Sequence, residues 1–253
     1  MLTFTDTQVL AWVTPILWPF LRVLALFTSL PVFAQRGVPA RVRVALAFLI
    51  ALCAQATLPE APLIPLDSGA AMLAVIQQLL IGLSLGFAVR IVFGAIEFAG
   101  EVIGLQMGLN FAGFFDPMSG GETTAVSSFF GTAVAWLFIV INGHLLLIAA
   151  VIQSFHAFPV GADPFTFLRN VQPQVWGAEI FRLGLWIALP LVGMLLFINL
   201  VLGVISRVAQ QMNIFAIGFP ITVGVGLIGV LLTLPAMQTP FTMALERMLE
   251  YFR

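Results

Sequence analysis

The chain has 253 residues, 61% hydrophobic and only 8% charged, with ten basic and eleven acidic side chains and a net charge of -1. So few charges cannot clothe a soluble core of this size, which makes it an integral membrane protein, and the near-neutral charge excludes nucleic acid as a partner. All ten basic residues are Arg; without Lys there is no P-loop ATPase, Schiff-base enzyme or lysine general base.

In chain order, apolar stretches run over Val9–Phe33, Ala71–Ala95, Ala125–Ile152, Ile180–Ile205 and Met212–Leu234. Each is long enough, as a helix, to exceed the roughly 30 Å hydrocarbon core. A shorter stretch, Val44–Leu58, would span only with Arg41 and Arg43 snorkelling to the surface, so five or six spans are expected. Pro15, Pro19 and Arg22 interrupt the first stretch, and Arg90, Glu97 and Glu101 close the long third segment. Arg22, Arg90, Glu97 and Glu101 are therefore expected to face a bundle interior or water, because a charge at bilayer depth costs at least about 2.5 kcal/mol. The single cysteine, Cys53, reads as a small buried hydrophobe.

Gly82 and Gly86, then Gly100, Gly104 and Gly108, recur at four-residue steps, the spacing that lets helix backbones approach closely. Residues 106 to 121, QMGLNFAGFFDPMSGG, are apolar but carry too many Gly and Pro residues for a continuous helix. Irregular backbone in a membrane protein must lie against protein or line a water-filled passage. Met107, Phe111, Phe114, Phe115 and Met118 would there form a deformable apolar closure. Pro159, Pro164 and Pro173 mark a boundary between an N-terminal part, 1–174, and a C-terminal helix pair, 175–253. At the end, Thr239 caps a helix with Pro240 in its first position. Phe241, Leu245, Met248 and Phe252 make that helix amphipathic, suited to a partner surface or the membrane interface.

No HExxH, CxxC or glycine-rich phosphate loop occurs, and only His144 and His156 are available, so neither a metal nor a cofactor is expected and enzymatic chemistry is not. Ser119 with His144 is the formal candidate for an intramembrane hydrolase; a turn serine and a hydrogen-bonded structural histidine are the plainer readings. Arg90, Glu97 and Glu101 beside a broken helix would suit a small-solute secondary transporter.

RVAQQMNIFAIGFPITVGVGL at 207–227 resembles the signature of the FliR/SctT family, inner-membrane export-gate proteins of flagellar and virulence type III secretion. RVLALFTSLPVFAQRGVPARVRVALA at 22–47, LQMGLNFAGFFDP at 105–117 and NGHLLLIAAVIQSFHAFPVG at 142–161 extend the resemblance in the right order. Asn213, Phe215, Gly218, Phe219 and Pro220 carry the signature, with Gln210 and Gln211 departing from it. The resemblance leans flagellar rather than injectisome. It implies an all-α membrane protein with bent, proline-broken helices, one copy joining FliP-like and FliQ-like subunits in a helical export gate of the flagellar basal body. Residues 1–174 would be the FliP-like part and 175–253 the FliQ-like hairpin. The gate would rise toward the periplasmic side of the inner membrane, beside FlhA-like and FlhB-like neighbours, meeting rod proteins, unfolded substrates and lipid. The family's plug loop would fall on residues 106–122, with Met107, Leu109, Asn110, Phe111, Phe114, Phe115, Asp116, Pro117 and Met118 as its working residues.

Overall fold

The computed structural model describes residues 6–34, 37–59, 61–109, 123–161, 164–208 and 214–253. Its helices are α1 (Asp6–Ser29), α2 (Pro31–Ala34), α3 (Ala40–Ala54), α4 (Gly69–Gln106), α5 (Ala125–Val140), α6 (Gly143–Ala157), α7 (Pro164–Val171), α8 (Gly177–Val208), α9 (Ile214–Thr233) and α10 (Gln238–Glu250). Among the described residues there is no strand, and the protein is an all-α integral membrane protein. Among the described residues four helices are long and apolar enough to cross a membrane, or five spans if α5 and α6 count as one. α3, with 15 residues, is not among them.

Several boundaries differ from expectation for identifiable reasons. α4 does not stop before Glu97 but runs for 38 residues to Gln106, because Glu is a good helix former and the side chain of Glu97 is exposed. Ser68 starts it by accepting a hydrogen bond from the Ala71 N–H at 3.2 Å. The stretch 125–152 is broken at Asn142, whose left-handed φ of 57° separates α5 from α6. Between α6 and α8 the prolines do not abolish helix: Pro164 begins α7 and Pro173 begins a short 3-10 turn, positions where the missing N–H is harmless. α10 begins at Gln238, so Thr239 lies inside the helix rather than capping it. Cys53 is exposed, not buried.

The contacts divide the chain into two compact units. The first draws on Met1–Arg90, Phe138–Trp176 and Leu245–Arg253, the second on Ile91–Leu137 and Gly177–Ala244. One edge, between Trp176 and Gly177, lies two residues beyond the sequence-based boundary; the others cut through α4, α5 and α10.

In the first unit α1 packs along α3 and against the first half of α4. Gly82 and Gly86 carry that second contact: a Cβ on Gly82 would run into the Arg22 carbonyl oxygen and lie 2.8 Å from the Ala25 Cβ, and one on Gly86 would meet the Ser29 hydroxyl. The close approach lets Ser29 Oγ donate to the Leu83 carbonyl at 3.2 Å. At the centre stands Arg22, wholly buried. Its Nε donates to Gln78 Oε1 at 2.8 Å, one terminal nitrogen to Ser154 Oγ at 2.8 Å and the other to the Phe158 carbonyl at 3.0 Å, while the Phe155 ring lies 3.6 Å from the guanidinium carbon. Gln77 extends the network, donating to the Pro159 carbonyl and accepting from Gln78 Nε2 and the Gly161 N–H.

The tail helix turns its apolar face inward. In the first unit Phe252 is fully buried against Phe167 and Trp176, and Leu245 and Met248 are buried too. In the second unit Phe241 meets Phe93 edge-on. The face expected to serve a partner or the interface is thus used within the chain.

Replacing Gln78 by Leu would leave the Arg22 Nε–H unpaired. The expected cost is about 1–3 kcal/mol, read as a lower midpoint of thermal unfolding in mild detergent. Ser206→Ala, on the exposed side of α8, should leave the midpoint unchanged.

Candidate functional site

Within the second unit, two structured flanks hold the segment 110–122. The leading flank is the end of α4. Gly108 adopts φ 80°, its N–H bonds to the Leu105 carbonyl and the Leu109 N–H to the Gly104 carbonyl at 3.0 and 3.1 Å. This pair of bonds closes a helix with a left-handed glycine and satisfies its last carbonyls. Gly108, grouped by spacing with the packing glycines, thus acts as the terminator. Met107 is buried. Its side chain occupies the space above Gly226 of α9, where a Cβ would sit 2.6 Å from the sulfur, and its carbonyl accepts from Thr222 Oγ1 at 3.5 Å.

The trailing flank is the start of α5. Thr124 Oγ1 accepts from the Ser127 N–H at 3.1 Å, a side-chain N-cap. Glu101 binds the same turn from α4, accepting from the Thr124 N–H at 3.0 Å and from Thr124 Oγ1 at 3.1 Å. A carboxylate at a helix N-terminus is also favoured by the helix dipole. Ser127 Oγ donates to the Glu97 carbonyl at 2.9 Å. Gly100 and Gly104 permit this: a Cβ on Gly100 would lie 2.8 Å from Ser127 Cα, and one on Gly104 2.8 Å from Thr124 Cβ. The trailing flank is therefore fastened to the last three turns of α4, and the leading flank, at the end of α4, to α9.

Of the residues singled out by sequence, this frame brings together Glu97, Glu101, Gly100, Gly104, Met107, Gly108 and Leu109. Gly82, Gly86, Arg22 and the exposed Arg90 belong to the first unit. Asn110, Phe111, Phe114, Phe115, Asp116, Pro117, Met118, Ser119 and Asn213 lie outside the described residues, as does the side chain of Phe215. Gly218 is buried in α9 with Leu202 of α8 3.5 Å from where its Cβ would be, whereas Phe219 and Pro220 are exposed. His144, expected as a hydrogen-bonded structural histidine, is exposed. Sequence reasoning missed Thr124, Ser127, Thr222 and Gly226. The first two were findable as a Thr-x-x-Ser helix start; the last two were not, because their partner is 115 residues away in the case of Thr222. Among the described residues no group of His, Cys, Asp or Glu could hold a metal.

The frame can carry an inserted segment, and in it the Glu101 carboxylate is engaged by Thr124. The family of bacterial export proteins, family 1, matches residues 13–248. The flagellar biosynthetic protein FliR of Pectobacterium carotovorum is 43% identical over 240 residues, covering 93% of this chain and 90% of that protein. Its counterpart from Escherichia coli K12 is 41% identical over 95% of this chain and 92% of its own length, and that of Aquifex aeolicus 30% identical over 94% and 93%.

Glu101→Ala is expected to release the α5 start, raising hydrogen exchange at the Thr124 to Ser127 amides roughly tenfold, as loss of about 1–2 kcal/mol of local stability implies. Glu101→Gln keeps an acceptor and should show most of the protection; equal exchange in Ala and wild type would refute the role.

Proposed function

This chain belongs to the bacterial export proteins of family 1, and from that membership we propose that it is a flagellar export-apparatus component, one subunit of a gate that passes unfolded protein substrates across the bacterial inner membrane. The family match over residues 13–248 carries the reading, with relatives named as flagellar biosynthetic proteins over nearly the whole chain. FliP-like and FliQ-like proteins complete the gate, the part up to residue 174 standing in for a FliP-like chain and 175–253 for a FliQ-like one. FlhA-like and FlhB-like proteins adjoin it, rod proteins receive it, and the assembly projects toward the periplasm.

Residues 106–122 form the plug loop, whose first residues, 106–109, close α4. A gate for polypeptide must yield to a chain yet stop ions. Aromatic and thioether side chains do both, because an apolar constriction excludes ions by dewetting while flexible Met and close-packed Phe give way. Phe111, Phe114, Phe115 and Met118 supply that filling, and Asp116 and Pro117 turn the loop. Met107, Leu109, Gly108 and the Glu101–Thr124 contact supply its fixed footing. The mechanism involves no covalent step, and driving force enters from other components.

Deleting Phe111 to Ser119 in the assembled complex should increase ion conductance across a reconstituted bilayer by an order of magnitude or more, while Thr124 and Met107 keep the flanks folded. Unchanged conductance would sink the plug assignment. The gate assignment itself is read from purification in mild detergent: two further small hydrophobic subunits should accompany the chain, and a lone monomer would count against it.

A further inference from the structure

Within the second unit α9 is largely uncovered, but one stripe of it is buried: Gly218, Thr222, Gly226 and Gly229, in steps of four, four and three residues. Two of these glycines face α8, since a Cβ on Gly218 would lie 3.5 Å from a Leu202 methyl carbon and one on Gly229 3.1 Å from Met194 Cε. Gly226 faces α4 instead. A Cβ there would stand 2.6 Å from Met107 Cγ, 2.6 Å from its sulfur and 2.7 Å from its terminal methyl carbon, so the thioether fills the volume that any larger residue would claim. Met107 is 1% exposed in this notch. One turn earlier Thr222 divides its hydroxyl proton between the Phe219 carbonyl at 3.0 Å and the Met107 carbonyl at 3.5 Å. The longer bond is weak, which leaves shape as the main tie between Met107 and α9.

Met107 directly precedes Gly108, whose φ of 80° ends α4. The Gly108 and Leu109 amide bonds fix the shape of that turn; they do not fix where it stands against α9. A Met side chain, unbranched and flexible, samples several rotamers unless a neighbour selects one. Gly226 supplies the selecting notch, whereas a Cβ on Gly224, two residues earlier, would meet nothing within 4 Å. We propose that Gly226 is a positioning residue of the gate: α9 seats Met107 and thereby sets the point from which the plug loop starts, so that the C-terminal hairpin governs how tightly the loop closes the passage. This rests on the plug reading given above and adds to it a control by a helix remote in sequence.

The test uses the full chain in its assembled complex. Gly226→Ala should expel the Met107 side chain and raise hydrogen exchange at the Gly108 and Leu109 amides about fivefold, the effect of one overpacked methyl group. The Thr124 and Ser127 amides, held by Glu101 and by Thr124 itself, should keep their protection. Ion conductance across a reconstituted bilayer should rise by a similar factor, with the accompanying subunits retained. Met107→Ala, which empties the notch, should leak as well. In the double variant the added methyl group meets no thioether, so it should leak less than either single change, whereas two unrelated structural defects would compound. Gly224→Ala should leave exchange and conductance at their wild-type values. Unchanged exchange at Gly108 and Leu109 in Gly226→Ala would overturn the proposal, as would a double variant that leaks at the product of the singles. Deleting Phe111 to Ser119 alongside separates the two readings: a leak in the deletion with none in Gly226→Ala overturns the seat alone, and no leak in either overturns the plug on which it rests.

Discussion

A guanidinium without water must find other dipoles, and the first unit is arranged around that need. Arg22 is wholly buried in α1, and no carboxylate pairs with it among the described residues. Its charge is spread instead over a Gln78 amide, a Ser154 hydroxyl, the Phe158 carbonyl and the Phe155 ring. Hydrogen bonds to a charged group are worth about 1.5–3 kcal/mol each, and in hydrocarbon the alternative is worse still. Four neutral partners have a geometric cost, since they come from α4 and the end of α6 and must all reach one point on α1. Gly82 and Gly86 meet that condition one and two turns beyond Gln78, by removing the side chains that would hold α1 away.

The same rule governs the second unit, where it acts on backbone rather than on charge. A helix that stops in a membrane protein exposes carbonyls, and one that starts exposes N–H groups. α4 stops at Gly108 with its last carbonyls bonded by the Gly108 and Leu109 amides, and α5 starts at Thr124 with donors met by Thr124 itself and by Glu101. Each end is thus closed locally, so the intervening segment does not have to satisfy them.

How much of this the sequence disclosed follows from the range of each interaction. Apolar stretches and proline positions depend on neighbours along one helix, and spacing reveals them, whereas the atoms that Gly82, Gly86, Gly100 and Gly104 approach lie on other elements. Glu97 misled as a helix end because a charge marks exposure, not termination. Asn142 was hidden inside a hydrophobic run, although Asn is among the few residues that accept a left-handed turn. The tail showed its amphipathic face but not its destination, since nothing in Phe241 or Phe252 says whether Phe93 and Trp176 or another molecule will cover it. Arg22 was legible as a charge needing partners; Gln78 and Ser154, 56 and 132 residues away, were not.

Burial also divides the spanning helices in a way that composition conceals. The most apolar window of α4 is 67% buried, whereas those of α8 and α9 are only 22% and 28% buried despite similar hydropathy. Trp186, Leu200 and Leu232 stand exposed, and methyl groups placed on Gly193, Gly203 or Gly224 would meet nothing within 4 Å. Hydrophobicity alone does not distinguish a lipid-facing side chain from one awaiting another helix, because lipid tails are as apolar as leucine. What does distinguish them is shape. A surface interrupted by open glycines loses little against fluid lipid but gains close backbone contact when a second helix arrives.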